Sequence, residues 1–207
     1  MFVIWVHKGA CVAQQQPKDR RVQKTERLLR DALGSLIHEK SYDSIPVKEI
    51  LQRANVGRSA FYTHFSDKDA LLVAGIRQML NDLRLRSYSV HRFNDVTWFS
   101  HGLFEHVDGL RHTSTAMKTK KGRAVVHHHL RLVLLEAVAD ALRQRAPRDV
   151  GRVPQDVLAE FIVGTFILVL DWWVDSNSAL SSRDVDELFL SMVLPTLAAT
   201  NDAGSAR

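Results

Sequence analysis

Apolar positions along this chain fall at three- and four-residue intervals in segment after segment, the period of helices that bury one face. Val22, Leu29, Leu33, Leu36 and Ile37 mark such a stripe in a helix predicted over Lys18–Lys40. Two short segments follow, Val47–Ala54 and Arg58–Phe65, broken at Asn55-Val56-Gly57, where Asn and Gly tolerate the backbone of a tight turn. Val47, Ile50, Leu51 and Ala54 share one face of the first. Phe61 and Phe65 lie one turn apart in the second, with Val56 able to plug the corner. Ser66-Asp67-Lys68-Asp69 has the form of a capping box, with Ser66 as N-cap, opening a helix that carries Leu71, Leu72, Ile76, Met79, Leu80 and Leu83 inward.

Beyond a boundary expected at Ser87–Asp95 the helical period resumes. Trp98, Phe99, Leu103, Phe104 and Val107 form one segment, a polar stretch over 110–122 follows, and a longer helix is expected from Val125 to Ala146. Pro147–Pro154 reads as a linker. Gln155–Asp175 is apolar nearly all round, which implies burial on more than one side. Ser182–Ala199 has one apolar face, and Pro195 is expected to kink or end it.

The stretch Ile45–Leu72 is thus a helix-turn-helix with a support helix behind it. Once its core side chains are assigned, Arg58, Ser59, Tyr62, Thr63 and His64 remain on the outer face of the second short helix. Such side chains suit base edges and phosphates, and a merely structural helical hairpin has no need of them. The run from Ile50 through Ala54-Asn55-Val56-Gly57-Arg58-Ser59-Ala60-Phe61-Tyr62-Thr63-His64-Phe65 to Asp67-Lys68 and Leu71-Leu72 resembles the signature of the tetracycline-repressor (TetR) family. The likeness covers residues 18–72 and is only architectural beyond. Pro46 and Ala60 stand where that family usually has threonines, and Gly57 where it often has serine.

The resemblance implies an all-α protein of about nine helices, with a three-helix DNA-binding unit followed by a C-terminal helical domain. It divides the chain into an extension (1–17), a DNA-binding domain with its connecting helix (18–86) and a dimerisation and effector domain (87–207). It implies a homodimer through 155–175 and 182–199, bound to a palindromic operator on double-stranded DNA. Carried onto matching positions, Lys48, Arg58, Ser59, Ala60, Tyr62 and Thr63 would meet bases or nearby backbone, and His64 and Lys68 would hold phosphates. At Ala60 the usual hydroxyl is missing. Repression is the commoner mode in the family. The WW pair in FIVGTFILVLDWWVDS also resembles a branch with small C-terminal domains that includes regulators of dihydroxyacetone-kinase operons, whose effector is a protein.

Charge sharpens this division. The net charge is +5, and residues 1–92 carry 16 Lys and Arg against 9 Asp and Glu, while 93–207 carry 12 against 14. The basic half is the one that holds the motif. Lys18, Arg20, Arg21, Lys24, Arg27 and Arg30 crowd the start of the first helix, where contact with phosphate is expected. The first sixteen residues, with Lys8 as their one Lys or Arg, read as a loosely ordered extension more than as a groove-binding arm. A single cysteine, Cys11, suits a reducing cytoplasm. The longest uncharged apolar run, Phe161–Leu170, is half what a membrane span of roughly 20 residues needs, so no membrane partner is expected.

Catalytic and metal chemistry find little support. Consecutive helical residues point about 100° apart, so His127-His128-His129 cannot face one ion, and one buried with two solvated is the expectation. His101 and Glu105, one turn apart with His106 beside them, read as a surface hydrogen bond. The sequence offers no phosphate loop, nucleophile elbow or CxxC, so no enzyme, metal or cofactor is inferred. Trp98, Phe99, Phe104, Phe166 and Trp172 are the candidate lining of an effector pocket, although aromatics at helical spacing usually form core. Two readings stay open: a repressor that senses a small molecule in an enclosed cavity, or a DNA-bound adaptor that docks a protein and has its aromatics packed shut.

Overall fold

The computed structural model describes residues 20–87, 96–111, 120–145 and 153–205, and these fold into eight α-helices and one 3-10 turn with no strand. The N-terminal extension, the expected boundary, most of the polar stretch after 110 and most of the linker lie outside the described residues.

Helix α1 (Arg20–Glu39) buries Leu29, Ala32, Leu33 and Leu36. A 3-10 turn at Tyr42–Ser44 leads into α2 (Val47–Ala54), where Pro46 takes the N-cap position with extended backbone. Proline has no N–H to lose there, and its carbonyl accepts from the Glu49 N–H at 3.0 Å. Asn55 ends α2 in the left-handed region at φ 51°, which lets the chain turn within three residues into α3 (Arg58–His64). Gly57 caps α3 with φ −71°, a conformation open to any residue, so its value here is not conformational.

Helix α4 (Lys68–Ser87) starts one residue later than the capping box places it. Asp67 is the N-cap: its Oδ1 accepts the Ala70 N–H at 2.7 Å, and Ser66 instead donates its hydroxyl to Asp67 Oδ2 at 3.0 Å. A genuine box of this kind opens the last helix, where the Ser181 N–H and hydroxyl reach Asp184 Oδ2 at 2.9 and 2.7 Å. The Asp184 N–H returns to Ser181 Oγ at 3.2 Å.

The C-terminal half comprises α5 (Ser100–Arg111), α6 (Lys120–Arg145), α7 (Gln155–Asp175) and α8 (Ser182–Ser205). Helix α6 lies along α7, α5 and α7 flank α8, and α4 packs on both α1 and α6. Pro195 neither ends nor shortens α8, which runs on to Ser205 with the proline on its exposed side. Phe99, Phe104, Phe166, Phe189 and Trp173 are all fully buried. Their rings meet at centroid distances such as 4.8 Å (Phe104–Phe166), 5.1 Å (Phe99–Phe166) and 5.6 Å (Phe166–Phe189). Such pairs add about 0.5–1.5 kcal/mol each beyond the area they bury. Arg111 closes the lower end: it stacks 4.2 Å from the Trp173 ring and donates to the Ser178 carbonyl at 2.9 Å, holding the α7–α8 turn.

Helix α7 is long and apolar enough, at 21 residues and a mean hydropathy of 1.9, to cross a membrane by length and composition alone. Its buried side chains, Ile162, Phe166, Val169 and Trp173 among them, sit in the same core as α5, α6 and α8, which is also how a core helix passes that test.

Candidate nucleic-acid interface and interdomain cavity

Helix α3 stands out from the body on Phe61 and Phe65, which are buried beneath it with ring centroids 5.9 Å apart. Arg58, Ser59, Tyr62 and Thr63 are exposed on its far side, and Lys48 is exposed on α2. The Arg58 guanidinium lies 5.9 Å from the Tyr62 ring centroid, and that ring is braced edge-on by Phe61 at 5.1 Å. Arg58 and Tyr62 therefore form a pair one turn apart, with the cation leaning on an aromatic that is itself held by the core. Thr63 donates its hydroxyl to the Ser59 carbonyl at 2.9 Å, which leaves its oxygen as an acceptor. Ala60 is half-buried and brings no polar atom of its own.

His64 and Lys68, the two expected phosphate ligands, are both engaged within the chain. His64 Nδ1 lies 3.9 Å from Glu26 Oε1, a contact that ties the end of α3 to α1. The Lys68 ammonium donates to the carbonyls of Tyr42 and Ile45 at 2.9 and 3.0 Å and sits 4.1 Å above the Tyr42 ring. Two of its three N–H donors are used in this way, so one remains for a phosphate.

Tyr42 was not singled out by sequence reasoning and Asp69 only as part of a capping box, yet together they organise this corner. The buried Tyr42 donates its hydroxyl to Asp69 Oδ1, and burial, reinforced by that carboxylate, pushes the phenol far above its ordinary range. The other Asp69 oxygen lies 3.9 Å from His129 Nε2 on α6. Lower down, Arg77 of α4 meets Glu136 of α6 at 2.7 Å. The first half of the chain is thus pinned to α6 at two points, one of them directly behind the helix-turn-helix.

Between these halves lies a cavity of about 550 Å³, walled by α1, α4, α5 and α6, with Leu170 of α7 at its inner end. Gly34 on α1 and Gly75 on α4 both line it, and a Cβ added at either would meet nothing within 4 Å. The cavity exists in part because these two helices show it no side chain there. His106, His127 and Arg123 contribute polar groups to the lining. His127 is buried, and its Nδ1 donates to Asp171 Oδ1 at 3.0 Å. Arg123, also buried, pairs with Asp175. Burial lowers the pKa of His127, against the opposing pull of Asp171. The exposed His106 is shifted the same way, by the partial desolvation of its ring against the cavity wall and, secondarily, by His38.

None of the five aromatics expected to line an effector pocket borders this space. Phe99, Phe104 and Phe166 fill the core completely, Trp98 packs against it with Arg84 5.8 Å from its ring, and Trp172 is 45% exposed on the outside of α7. Helical spacing places aromatics on a common face, and here that face met other rings instead of a void. In the histidine run, His127 is buried, His128 exposed and His129 intermediate. Among the described residues no three His, Cys, Asp or Glu side chains group as a metal site. His101 lies between the exposed Glu105 at 3.5 Å and the buried Asp186 at 3.7 Å.

The architecture is that of a helix-turn-helix unit mounted on a helical body. The family model for "Bacterial regulatory proteins, tetR family" matches residues 29–74, the segment from mid-α1 into α4. A helix-turn-helix-type transcriptional regulator of Haemophilus influenzae is 32% identical over 124 residues, covering 51% of this chain. One from Bacillus subtilis is 34% identical over 61 residues, 29% of this chain. The chain spans 60% of the first relative's length and 16% of the second's. A TetR-family structure from Syntrophomonas wolfei superposes with a TM-score of 0.59 at 20% identity, over 85% of this chain and 95% of its own, a likeness of fold. These matches show a tetR-type helix-turn-helix segment over residues 29–74, carried on a body of TetR-like fold.

Proposed function

We propose that the protein is a cytoplasmic, homodimeric transcriptional repressor that reads a palindromic operator with α3 and is released from it by an effector. The observation that carries the DNA reading is the outer face of α3. There Arg58, Ser59, Tyr62 and Thr63 stand exposed together on a helix anchored by buried phenylalanines, beside the exposed Lys48. Arg58 and Tyr62 supply base and backbone contacts, and Lys68, with its spare donor, supplies a phosphate contact. The proposed division of labour follows from this: residues 18–86 bind DNA and 87–207 hold the dimer.

Dimerisation is supported by an apolar stripe that this chain leaves uncovered. Val157, Phe161, Leu168 and Trp172 are 53, 38, 65 and 45% exposed on one face of α7, and α8 also exposes Met192 and Leu194. An apolar surface of that continuity points to a partner, and a second copy would close it as a four-helix bundle. Effector control is supported by the interdomain cavity, whose walls include α1 and α4 and so reach the DNA-binding unit itself. The adaptor reading keeps one observation in its favour, the shut aromatic core of the C-terminal half. An open cavity at the seam weighs against it.

Selection of preferred sequences from a random duplex pool tests the reading directly. An inverted repeat recovered by the wild-type protein is the expected result, and recovery of no common sequence would refute it.

A further inference from the structure

We infer that the interdomain cavity takes an uncharged, largely apolar molecule bearing a hydroxyl-type hydrogen-bond donor, which it seats between Gly34 and Gly75 with its donor on the imidazole of His127. The inference rests on the effector reading above and gives that effector its chemistry. Three observations carry it.

The first is the wall. Most of the lining is aliphatic, from Leu33, Ile76, Met79, Leu103, Val126 and Leu130 among others, and the volume falls within the range of roughly 300–1,000 Å³ usual for small-molecule sites. The two glycines leave open space where α1 and α4 would otherwise present side chains to the cavity, so a flat apolar body can lie against both helices.

The second is charge. The ionised residues along the cavity are two arginines and two aspartates, which leaves no formal excess of either sign. Arg123 is committed to Asp175, and Arg30 lies 3.7 Å from Glu26. The exposed Asp31 and Asp82 stand where the cavity meets a neighbouring surface depression. A charged ligand would leave water for a site with no net opposite charge to receive it.

The third is the tautomer of His127. Its Nδ1–H is spent on Asp171, so the neutral ring offers only the lone pair of Nε2, an acceptor. Burial favours that neutral form, and the exposed His106 adds a second imidazole to the lining. The best-defined polar feature of the cavity therefore asks for a donor.

Four naphthalene probes separate these requirements by equilibrium fluorescence on the full chain: 1-naphthol, naphthalene, 1-naphthoate and 1-naphthylmethylammonium. We expect 1-naphthol to bind saturably at one per chain, and naphthalene about tenfold more weakly, the worth of one hydrogen bond of about 1.4 kcal/mol. Both ions should bind more weakly still. Gly75→Leu and, independently, Gly34→Leu should abolish binding while raising helix propensity, and Gly75→Ala, which leaves most of the space, should retain it. In His106→Leu/His127→Leu, with the fold checked by circular dichroism, the advantage of naphthol over naphthalene should vanish. Binding of 1-naphthoate or the ammonium probe as tight as naphthol would overturn the inference. So would unchanged naphthol binding in both glycine variants, or a surviving naphthol preference in the double histidine variant. Operator affinity is measured separately. Probe binding that leaves operator affinity untouched would sink the effector reading and leave the ligand chemistry standing.

Discussion

Replacing Arg58 tests whether α3 reads sequence or merely rests on the DNA backbone. The side chain emerges from the first turn of α3 and leans on Tyr62, 5.9 Å from its ring centroid, so the guanidinium is partly preorganised before DNA arrives. At a site where Tyr62 is 50% exposed, that stack is worth about 0.5–1 kcal/mol. A bidentate contact to guanine O6 and N7 discriminates by about 1–3 kcal/mol. Across two half-sites Arg58→Ala should therefore cost roughly 2–6 kcal/mol, about 30-fold to about 10⁴-fold in affinity for the preferred sequence. Tyr62→Phe keeps the stacking ring and should spare base preference, losing only what the hydroxyl gives to a phosphate. Tyr62→Ala releases the guanidinium and should erode the Arg58 contribution as well. The assay is fluorescence anisotropy on the selected duplex and on a scrambled one, at several salt concentrations. If Arg58→Ala lowered both affinities equally and flattened the salt dependence by about 0.9 per half-site, its partner would be phosphate. That result, with identical sequence preferences from the two proteins, would refute base reading.

Other outcomes follow from the same geometry. Asp67→Ala should destabilise the protein by about 0.5–2 kcal/mol in urea titration, the worth of an N-cap, while Ser66→Ala should cost far less; the reverse order would restore Ser66 as the cap. Leu168→Glu with Trp172→Glu places two carboxylates in the bare stripe of α7 and should convert a species of roughly twice 23.5 kDa into one of 23.5 kDa in sedimentation at micromolar concentration. A stripe that tolerates both changes without dissociating is not the dimer contact. The His127 imidazole is held below its ordinary value near 6.5 by burial, so the unfolded chain takes up that proton first as pH falls. Stability should drop as pH goes down through 6.5 toward the folded value, and the drop should be smaller in His127→Asn. Equal losses in the two proteins between pH 7.5 and 5.5 would contradict it.

The helix-turn-helix was legible because its information is local. The apolar period of α2 and α3, the Asn55 turn and the polar remainder on α3 all lie within a few residues of one another, and the structure keeps each of them. The capping register was misread for an equally local reason. Ser66 and Asp67 are both good caps, and only the reach of the Asp67 carboxylate to the Ala70 N–H decides between them. The cavity could not be read at all. Gly34, Gly75, His106 and His127 come from four different helices, and each looks ordinary on its own. The aromatics misled because a ring that lines a pocket and a ring that fills a core have the same spacing. In the histidine run the 100° step per residue anticipated the split the structure shows, with His127 buried and His128 exposed.

If the exposed stripe on α7 is the proposed dimer contact, it would tie the regulator's output to its abundance. Two recognition helices joined only through such a contact would grip a palindrome together, whereas a single subunit would hold one half-site. At chain concentrations below the dissociation constant of the pair, the dimer population follows the square of the amount present, so halving the amount cuts the operator-competent form about fourfold. A cell that divides without making more of this chain would loosen repression faster than dilution alone implies. The steepness of that response would be set by Leu168, Trp172 and their neighbours, on a different helix from the residues proposed to touch DNA.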